Sequence, residues 1–395
     1  MYLLTNATQA YAWGSADAIP SFLGRVKDGN PVAEMWLGTH ALAPSLVEEA
    51  VGVSVPLSEV AGELPFMMKI LAADKPLSLQ VHPGSALAEA GFAAEEAEGK
   101  PITAPDRSFK DPNHKPEMAY ALTTFDTLVG FRPTAEILRI LSAIDTPLAK
   151  GLGADLRARP GFQGIVRLIE HLLDDGPDRS EIDDVVEACR ALDESSMDIK
   201  RAYSTVVEIA GHFPGDIGIV ISLFLNRLTL QPGEAAFLGS GVLHAHLSGM
   251  CVEVMASSDN VLRAGLTEKY INPAGLVRCL NKGMSRVARV TPEQWGFSTD
   301  VFSPDVDEFA LSMTQCSFIE PNGTVLPNSG RRLIMCTGGE VTLLNESGQS
   351  FELKRGQSAY AGPEDGLLRI IGIGEVAQAY EPTKRTPQSA MIDLV

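Results

Sequence analysis

The chain has 395 residues, too many for one small module and enough for two or three domains with a sizeable core. With 45% apolar and 21% charged residues, it is too hydrophobic to remain disordered throughout. Its 32 basic and 50 acidic residues give a net charge of −18, the wrong sign for general binding to nucleic acid or to an anionic membrane. Any anionic ligand must therefore meet a local basic cluster.

The cysteines and the apolar runs indicate the cellular compartment. The 5 cysteines are scattered and form no C-x-x-C pair, so they predict neither a disulfide framework nor a thiolate zinc site. The longest strongly apolar run, Ile217 to Leu225, is about half as long as a membrane-spanning helix and is interpreted as a core strand. The N-terminus has no secretory signal pattern. The sequence therefore predicts a cytoplasmic protein in a reducing compartment.

The predicted elements change character along the chain. Residues 1–132 contain short apolar stretches broken by Pro, Gly and Asp, which favour strands and loops. Apolar residues then recur at helical spacing, so residues 133–213 are predicted to be a helical insert. Strand patterns return in 214–285, with a turn at 231–234, and Pro and Gly punctuate short strands in 286–395, such as 332–336 and 341–344. This layout predicts a mainly β fold of the sandwich or jelly-roll kind, with a helical domain inserted into the first β domain and a second β domain at the C-terminus.

The stretch Leu77 to Pro83 is the first of three that place histidines near strand ends. Strict alternation puts Ser78, Gln80 and His82 on one face, opposite two apolar residues. The polar face is either a set of candidate ligands or a solvent-exposed strand edge that ends at Pro83.

The second stretch runs from Asp111 to Tyr120. His114 and Glu117 have the spacing of a helical metal pair, but Pro116 between them disfavours a helix. In an extended chain Lys115 and Glu117 share a face, which makes Glu117 the ligand candidate. An ordinary surface ion pair between Lys115 and Glu117 is the alternative.

The third stretch, Gly239 to Gly249, places His244 and His246 on one face of a strand. They could be two metal ligands, one ligand beside a proton-transfer group, or two histidines satisfied by hydrogen bonds. Taken together, the three stretches offer imidazole, carboxylate and amide donors, a mixed set that suits Zn²⁺ or another first-row dication. The segment 251–269 that follows is rich in charge, and it could also be a solvated loop.

These stretches resemble those of the type I mannose-6-phosphate isomerase family, zinc enzymes of the cupin superfamily. The resemblance rests on LQVHP, HKPEMAY and SSDNVLRAGLTEKY, and on YAWGS and AEMWLG near the N-terminus, and it spans residues 11–270. It implies that the β domains are cupin barrels. It also implies that one Zn²⁺ per chain is bound by Gln80, His82, Glu117 and His244.

The resemblance further implies roles in catalysis and substrate binding. Arg263 matches the family's catalytic arginine. Glu253 is the natural carboxylate candidate for moving a proton, with His246 as the alternative. The remaining implied substrate-binding residues are Trp13, Lys69, Ser78, Lys115, Asp259 and Lys269. His246 stands where the family usually has tyrosine, so we expect it to face the substrate.

The implied reaction interconverts mannose 6-phosphate and fructose 6-phosphate by metal-assisted proton transfer through an enediolate. The implied protein is a monomer of carbohydrate metabolism that takes a small sugar phosphate, in GDP-mannose precursor synthesis or in mannose catabolism. Two alternatives remain at this point. Two histidines and a carboxylate also suit the non-haem iron of a cupin oxygenase, and a non-catalytic sugar-phosphate-binding cupin would use its metal structurally.

Overall fold

The computed structural model describes residues 1–50, 52–192, 200–281, 288–318, 320, 322–327 and 330–382. In this part of the chain the strands form two sheets, and every strand pair within them is antiparallel. The mainly β prediction is confirmed. The first sheet contains β2 (Ala7–Gln9), β3 (Glu34–Leu37), β6 (Phe66–Ala73), β7 (Leu79–Val81), β8 (Glu117–Ala121), β9 (Phe125–Phe131), β10 (Leu225–Leu230), β11 (Ala235–Leu238), β12 (His244–Ala256), β13 (Leu262–Gly265) and β14 (Ala288–Val290).

The second sheet combines strands from both ends of the chain. It contains β1 (Tyr2–Thr5), β4 (Leu46–Ala50), β5 (Val53–Pro56), β15 (Glu293–Trp295), β16 (Thr299–Phe302), β17 (Ala310–Cys316), β18 (Thr324–Val325), β19 (Arg332–Leu344), β20 (Ser350–Lys354), β21 (Ser358–Ala361) and β22 (Arg369–Tyr380). Because β1 pairs with β21 and β4 of the second sheet and β2 pairs with β3 of the first, the N-terminal segment crosses between the two sheets. The division at 132, 213 and 285 remains a prediction.

The helices lie mostly between β9 and β10. They are α1 (Ala18–Phe22), α2 (Leu57–Ala61), α3 (Ser85–Ala97), α4 (Thr134–Ala143), α5 (Pro147–Ala158), α6 (Phe162–Asp174), α7 (Arg179–Ala191), α8 (Lys200–Ala210), α9 (Gly218–Ser222) and α10 (Pro273–Cys279), with a 3₁₀ turn at Pro363–Asp365. Helices α4 to α8 each contribute buried apolar residues to one core that also contains residues of β7, β9 and β12. No helix in the described part of the chain has both the length and the hydropathy needed to cross a membrane.

Strand β6 shows how the first sheet places polar groups inside. All of its residues are buried, and alternation divides them between two sides. Met68 and Ile70 pack in a core shared with Leu311 and Leu333 of the second sheet. Lys69, between them in sequence, projects to the opposite side. The first sheet therefore has an apolar outer face, covered by the second sheet, and an inner face that carries charged side chains.

Two local predictions were wrong. The apolar run 217–225 is not a core strand, because it forms α9 before β10 begins at Leu225. An all-apolar run carries no periodicity that separates a buried helix from a buried strand, and the Asp216 carboxylate, which accepts a hydrogen bond from the Gly218 amide at 2.7 Å, favours the helical start. The segment 85–97, predicted as strand or loop, is helix α3, whose helix formers Ala and Glu outweigh its weak apolar pattern.

Candidate metal centre and substrate site

Three buried side chains converge at one point inside the first sheet. His82 follows β7, Glu117 begins β8 and His244 begins β12, and their candidate ligand atoms all lie within 4.8 Å of one another. Glu117 Oε2 lies 3.2 Å from His82 Nε2 and 3.3 Å from His244 Nε2. No other group of this kind occurs among the described residues. We call these three residues the metal cluster.

Hydrogen bonds fix which nitrogen of each imidazole is available. His82 Nδ1 donates to the Asn260 carbonyl at 2.7 Å, and His244 Nδ1 donates to the Val242 carbonyl at 2.9 Å. With the protons on Nδ1, both Nε2 atoms carry lone pairs, and neither has a hydrogen-bond partner. Burial lowers the pKa of His82 to about 4, so this ring is neutral at pH 7.

The metal cluster fits a dication. Two imidazole lone pairs and a carboxylate oxygen, all buried, face one another and would repel without a cation between them. Burial alone would raise the pKa of Glu117, but the facing His82 and the ammonium of Lys115, 3.0 Å from Oε1, hold it well below its ordinary value. The carboxylate is therefore ionised and ready to act as a ligand.

Strand register places two further predicted residues beside the metal cluster. Gln80 is the cross-strand partner of His244 on one side and of Arg263 on the other. Directly paired residues project from the same face of a sheet, so these three side chains share a face. Gln80 is therefore in position to add an amide oxygen, and Arg263 stands one strand further from the cluster than Gln80.

A second buried group, the lysine cluster, lies on the neighbouring strands. It consists of Glu34 on β3, Lys69 on β6, and Glu253 and His246 on β12. Lys69 Nζ lies 3.5 Å from Glu34 Oε1 and 3.4 Å from Glu253 Oε2. Burial alone would lower the pKa of Lys69, but the two carboxylates raise it above its ordinary value. Burial alone would raise the pKa of Glu253, but the charge of Lys69 lowers it below its ordinary value.

His246 joins the two clusters. Its ring centroid lies 6.0 Å from that of His244, and its Nε2 lies 3.4 Å from Glu253 Oε1 without a hydrogen bond. Its Nδ1 contacts Thr127 Oγ1 at 3.1 Å, and its ring packs edge-on against Phe125. Alternation on one face of β12, as predicted, therefore brings His246 to the border of the metal cluster.

Three cations form a group separate from the metal cluster and the lysine cluster. Burial, and then the charges of Arg263 and Lys110, lower the pKa of Lys269. Among the residues that the structure describes, none of these three side chains has a carboxylate within ion-pair distance. We call Lys110, Arg263 and Lys269 the cationic group. Like charges without counterions are typical of an anion site.

The backbone around the cationic group is tightly held. Leu266, just after β13, is the only non-glycine residue in the described chain with positive φ, 54°. Its amide donates to Asp216 Oδ1 at 2.7 Å, and the Thr267 amide approaches Asp216 Oδ2 at 3.3 Å. A strained backbone that is held by hydrogen bonds is frequent at functional sites.

The other predicted substrate-binding residues lie around the clusters. Asp259 Oδ1 is 3.2 Å from His40 Nε2, and both residues line a cavity of about 400 Å³ that Lys110 also lines. Ser78 precedes β7, next to Leu77, whose amide donates to the His246 carbonyl at 2.8 Å. Trp13 stacks on Tyr11 with ring centroids 5.7 Å apart and packs against the core inside the first sheet.

Comparison with known proteins decides the family. A sequence profile for "Phosphomannose isomerase type I, catalytic domain" matches residues 1–134. The chain is 36% identical to the mannose-6-phosphate isomerases of Shigella flexneri and of Escherichia coli K12, over 96% of this chain and 99% of each relative. The chain belongs to the type I phosphomannose isomerase family. The cupin fold implied by the sequence is confirmed by a Salmonella typhimurium mannose 6-phosphate isomerase crystallised with fructose 6-phosphate and zinc, which superposes with a TM-score of 0.86 at 32% identity over 97% of this chain and all of that one.

Membership of the type I phosphomannose isomerase family accounts for the residues of the metal cluster. Sequence patterns did not indicate several other residues that lie around it. Glu34 lies within the AEMWLG stretch, yet only the fold brings it to Lys69. Lys110 immediately precedes the DPNHKPE stretch, where a single lysine carries no signal by itself. Asn260 lies inside the SSDNVLRAGLT stretch, and its contact with His82 spans 178 residues, which no local pattern can indicate.

Proposed function

We propose that this chain is an aldose-ketose isomerase that interconverts mannose 6-phosphate and fructose 6-phosphate with one Zn²⁺. The observation that carries the proposal is the metal cluster, whose unpartnered His82 and His244 Nε2 atoms face the Glu117 carboxylate beside Arg263. Family membership over nearly the whole chain supports the same reaction.

His82, Glu117 and His244 would hold the zinc ion, and Gln80 would add an amide oxygen. When bound, zinc supplies a Lewis acid that polarises the oxygens of the open-chain sugar at the reacting carbons. Lys115 balances the charge of Glu117 on the side away from the imidazoles. The Nδ1 hydrogen bonds of both histidines keep their rings oriented and their Nε2 atoms free.

Glu253 is the proposed base that moves a proton between C2 and C1 through an enediolate. It is ionised because Lys69 holds its pKa below the ordinary value, and its Oε1 faces His246 at the border of the metal cluster. Lys69 is itself fixed between two carboxylates, so it orients Glu253 and balances its charge. Arg263 donates hydrogen bonds to the oxygen on which negative charge develops.

Lys110 and Lys269 of the cationic group are the proposed phosphate site. Lys69 and Lys115 are already engaged by buried carboxylates, whereas Lys110 and Lys269 are exposed and have no carboxylate partner in the described chain. Phosphate binding beside Arg263 would offset the mutual repulsion of these cations. Asp259, Ser78, His246 and Trp13 are proposed to contact the sugar.

A monomeric, cytoplasmic enzyme with no nucleic-acid partner completes the proposal. All 5 cysteines are free and buried, which suits a reducing compartment. The charge of −18 disfavours nucleic acid. Light scattering of the eluting protein on a sizing column would measure a mass near 42.2 kDa for the monomer, and a doubled mass would contradict it.

The function is tested by a coupled assay for fructose 6-phosphate formed from mannose 6-phosphate, before and after chelation. Turnover should stop when zinc is removed and return when Zn²⁺ is restored. Binding of mannose 6-phosphate by the zinc-loaded protein without turnover would favour the non-catalytic alternative. Full turnover by protein that elemental analysis shows to be metal-free would contradict the metal assignment.

A further inference from the structure

Asn260 occupies a central place between the metal cluster and the loop that leads to Glu117. It lies in the segment between β12 and β13 and is completely buried. An asparagine side chain with no access to water must find partners for its two hydrogens and its carbonyl lone pairs within the protein. Its hydrogen bonds show what it holds in place.

The side chain of Asn260 is fully engaged by the loop 110–113. Oδ1 accepts hydrogen bonds from the Lys110 amide at 2.7 Å and the Asp111 amide at 3.3 Å. Nδ2 donates to the carbonyls of Asp111 at 2.7 Å and Asn113 at 2.9 Å. Because the oxygen meets only N–H donors and the nitrogen meets only acceptors, the amide orientation is unambiguous.

The loop 110–113 returns these contacts to the segment that contains Asn260. Asp111 Oδ2 accepts from the Asp259 amide, and Asp111 Oδ1 accepts from the Ser258 hydroxyl, both at 2.8 Å. The two segments therefore exchange hydrogen bonds in both directions. One of them continues through Lys115 to the ligand Glu117, and the other continues into β13 with Arg263.

The backbone of Asn260 provides the third connection. Its carbonyl accepts the hydrogen bond from His82 Nδ1 at 2.7 Å, the contact that leaves His82 Nε2 free. A side chain that fixes the position of this carbonyl also fixes the direction in which the imidazole points. Partners of this kind, one bond away from a metal ligand, commonly alter metal affinity by roughly 10- to 100-fold.

We propose that Asn260 is a positioning residue that keeps two metal ligands in register, His82 through its carbonyl and Glu117 through the loop its side chain holds. The proposal rests on the proposed function only for the identity of the metal. Its test is a zinc-binding measurement that needs no substrate, so a failure of the isomerase assay and a failure of this inference are distinguishable.

The experiment measures zinc affinity by chelator competition on the folded full chain, with unfolding temperature as a second readout. Asn260→Asp removes the two N–H donors and places a carboxylate oxygen near Asp111 Oδ1, which now lies 3.2 Å from Nδ2. We expect zinc affinity to fall by roughly 10- to 100-fold. Adding Asp111→Asn removes the like-charge contact and should recover part of that loss.

The matched control is Asn345→Asp in the second sheet. Asn345 is also a buried asparagine with bonds in both directions, since its Nδ2 donates to Asp365 Oδ1 at 2.7 Å and its Oδ1 accepts from the Gln349 amide at 2.8 Å. We expect this control to lower the unfolding temperature and leave zinc affinity unchanged. Wild-type zinc affinity in Asn260→Asp, or an equal loss in Asn345→Asp, would overturn the proposal. If Asn260→Asp does not fold alone, the double variant with Asp111→Asn must still show weakened zinc binding.

Discussion

The metal cluster and the lysine cluster lie side by side within one sheet, and both are buried. They differ in how their buried polar and charged groups are compensated. In the lysine cluster an ammonium lies between two carboxylates, so the charges are compensated by the protein itself. In the metal cluster two imidazoles present unpartnered nitrogens to a carboxylate. Convergent lone pairs, rather than charged residues as such, mark the place where a cation belongs.

The two glutamates provide the largest test of this comparison. Glu117→Gln removes the anionic ligand, so we expect loss of zinc and a fall in kcat/KM of about 10³-fold or more. Glu253→Gln should keep zinc and lower kcat by roughly 10²- to 10⁴-fold, the scale of a lost general base. Elemental analysis and steady-state kinetics measure both. Loss of zinc in the Glu253 variant would show that Glu253 also supports metal binding, and would contradict the division into two clusters.

Replacement of Arg263, which belongs to neither of these two clusters, should lower turnover without removing the metal. Arg263→Lys keeps the charge but loses the planar set of donors, so kcat should fall by roughly 10²-fold at unchanged metal content. An unaltered kcat, or a loss that follows lost zinc, would count against a role in stabilising the transition state.

The exposed cations should contrast with the buried ones. Lys269→Ala should raise KM for mannose 6-phosphate by roughly 10-fold or more, with little change in kcat, because a charge-assisted contact with phosphate is lost. Lys354→Ala is the control, since Lys354 is also exposed and pairs with Glu340 on the second sheet. A lowered kcat with unchanged KM would place Lys269 in the chemical step instead.

The border between the clusters can be tested at His246. His246→Tyr should keep zinc and most activity, within roughly 10-fold of wild type, because the side chain is not a ligand of the metal cluster. His244→Tyr should lose zinc, because it removes an Nε2 ligand. The opposite outcome, with zinc lost at 246 and kept at 244, would move the ligand assignment by two residues.

The smallest effect concerns an ion pair between the sheets. His114 Nε2 contacts Glu308 Oε1 at 2.5 Å, and this contact raises the pKa of His114 and lowers that of Glu308. A raised histidine pKa stabilises the fold below pH of about 6.5 and loses this effect as pH rises through the folded-state value. The pair is partly exposed, so a double-mutant cycle on unfolding should give at most about 1 kcal/mol near pH 6 and less at pH 9. A coupling that grows with pH would contradict this.

Local pattern was sufficient for the parts of the site that depend on one strand at a time. Alternation along 77–83 and 239–249 placed Gln80, His82, His244 and His246 on their faces, and Pro116 made an extended Glu117 predictable. The turn Gln231 to Glu234 was also predictable, and its Gly233 has φ of 94°.

What the sequence could not supply depends on long-range pairing or on burial. The resemblance assigned Lys69 and Lys115 to the substrate, and only the fold reveals the carboxylates that engage them. The predicted strand lengths were wrong for a similar reason. Segments 332–336 and 341–344, predicted as separate short strands, are one strand, β19, whose register shifts between Cys336 and Gly338. Local rules usually end a strand at glycine, but β19 continues because it is hydrogen-bonded to neighbouring strands on both sides.

The pairing of β1 with β21 has a consequence for biosynthesis. Tyr2 lies opposite Tyr360, and Leu4 lies opposite Ser358 and Val47. A chain made from its N-terminus therefore carries β1 without its β21 neighbour until residues 358–361 have also left the ribosome. The second sheet therefore cannot close before both of these distant segments have been synthesised, and such non-local pairing is among the slower steps of folding. Until then the hydrogen-bonding edge of β1 that later meets β21 is open to other strands, so wrong edge-to-edge pairing is a hazard of the nascent chain.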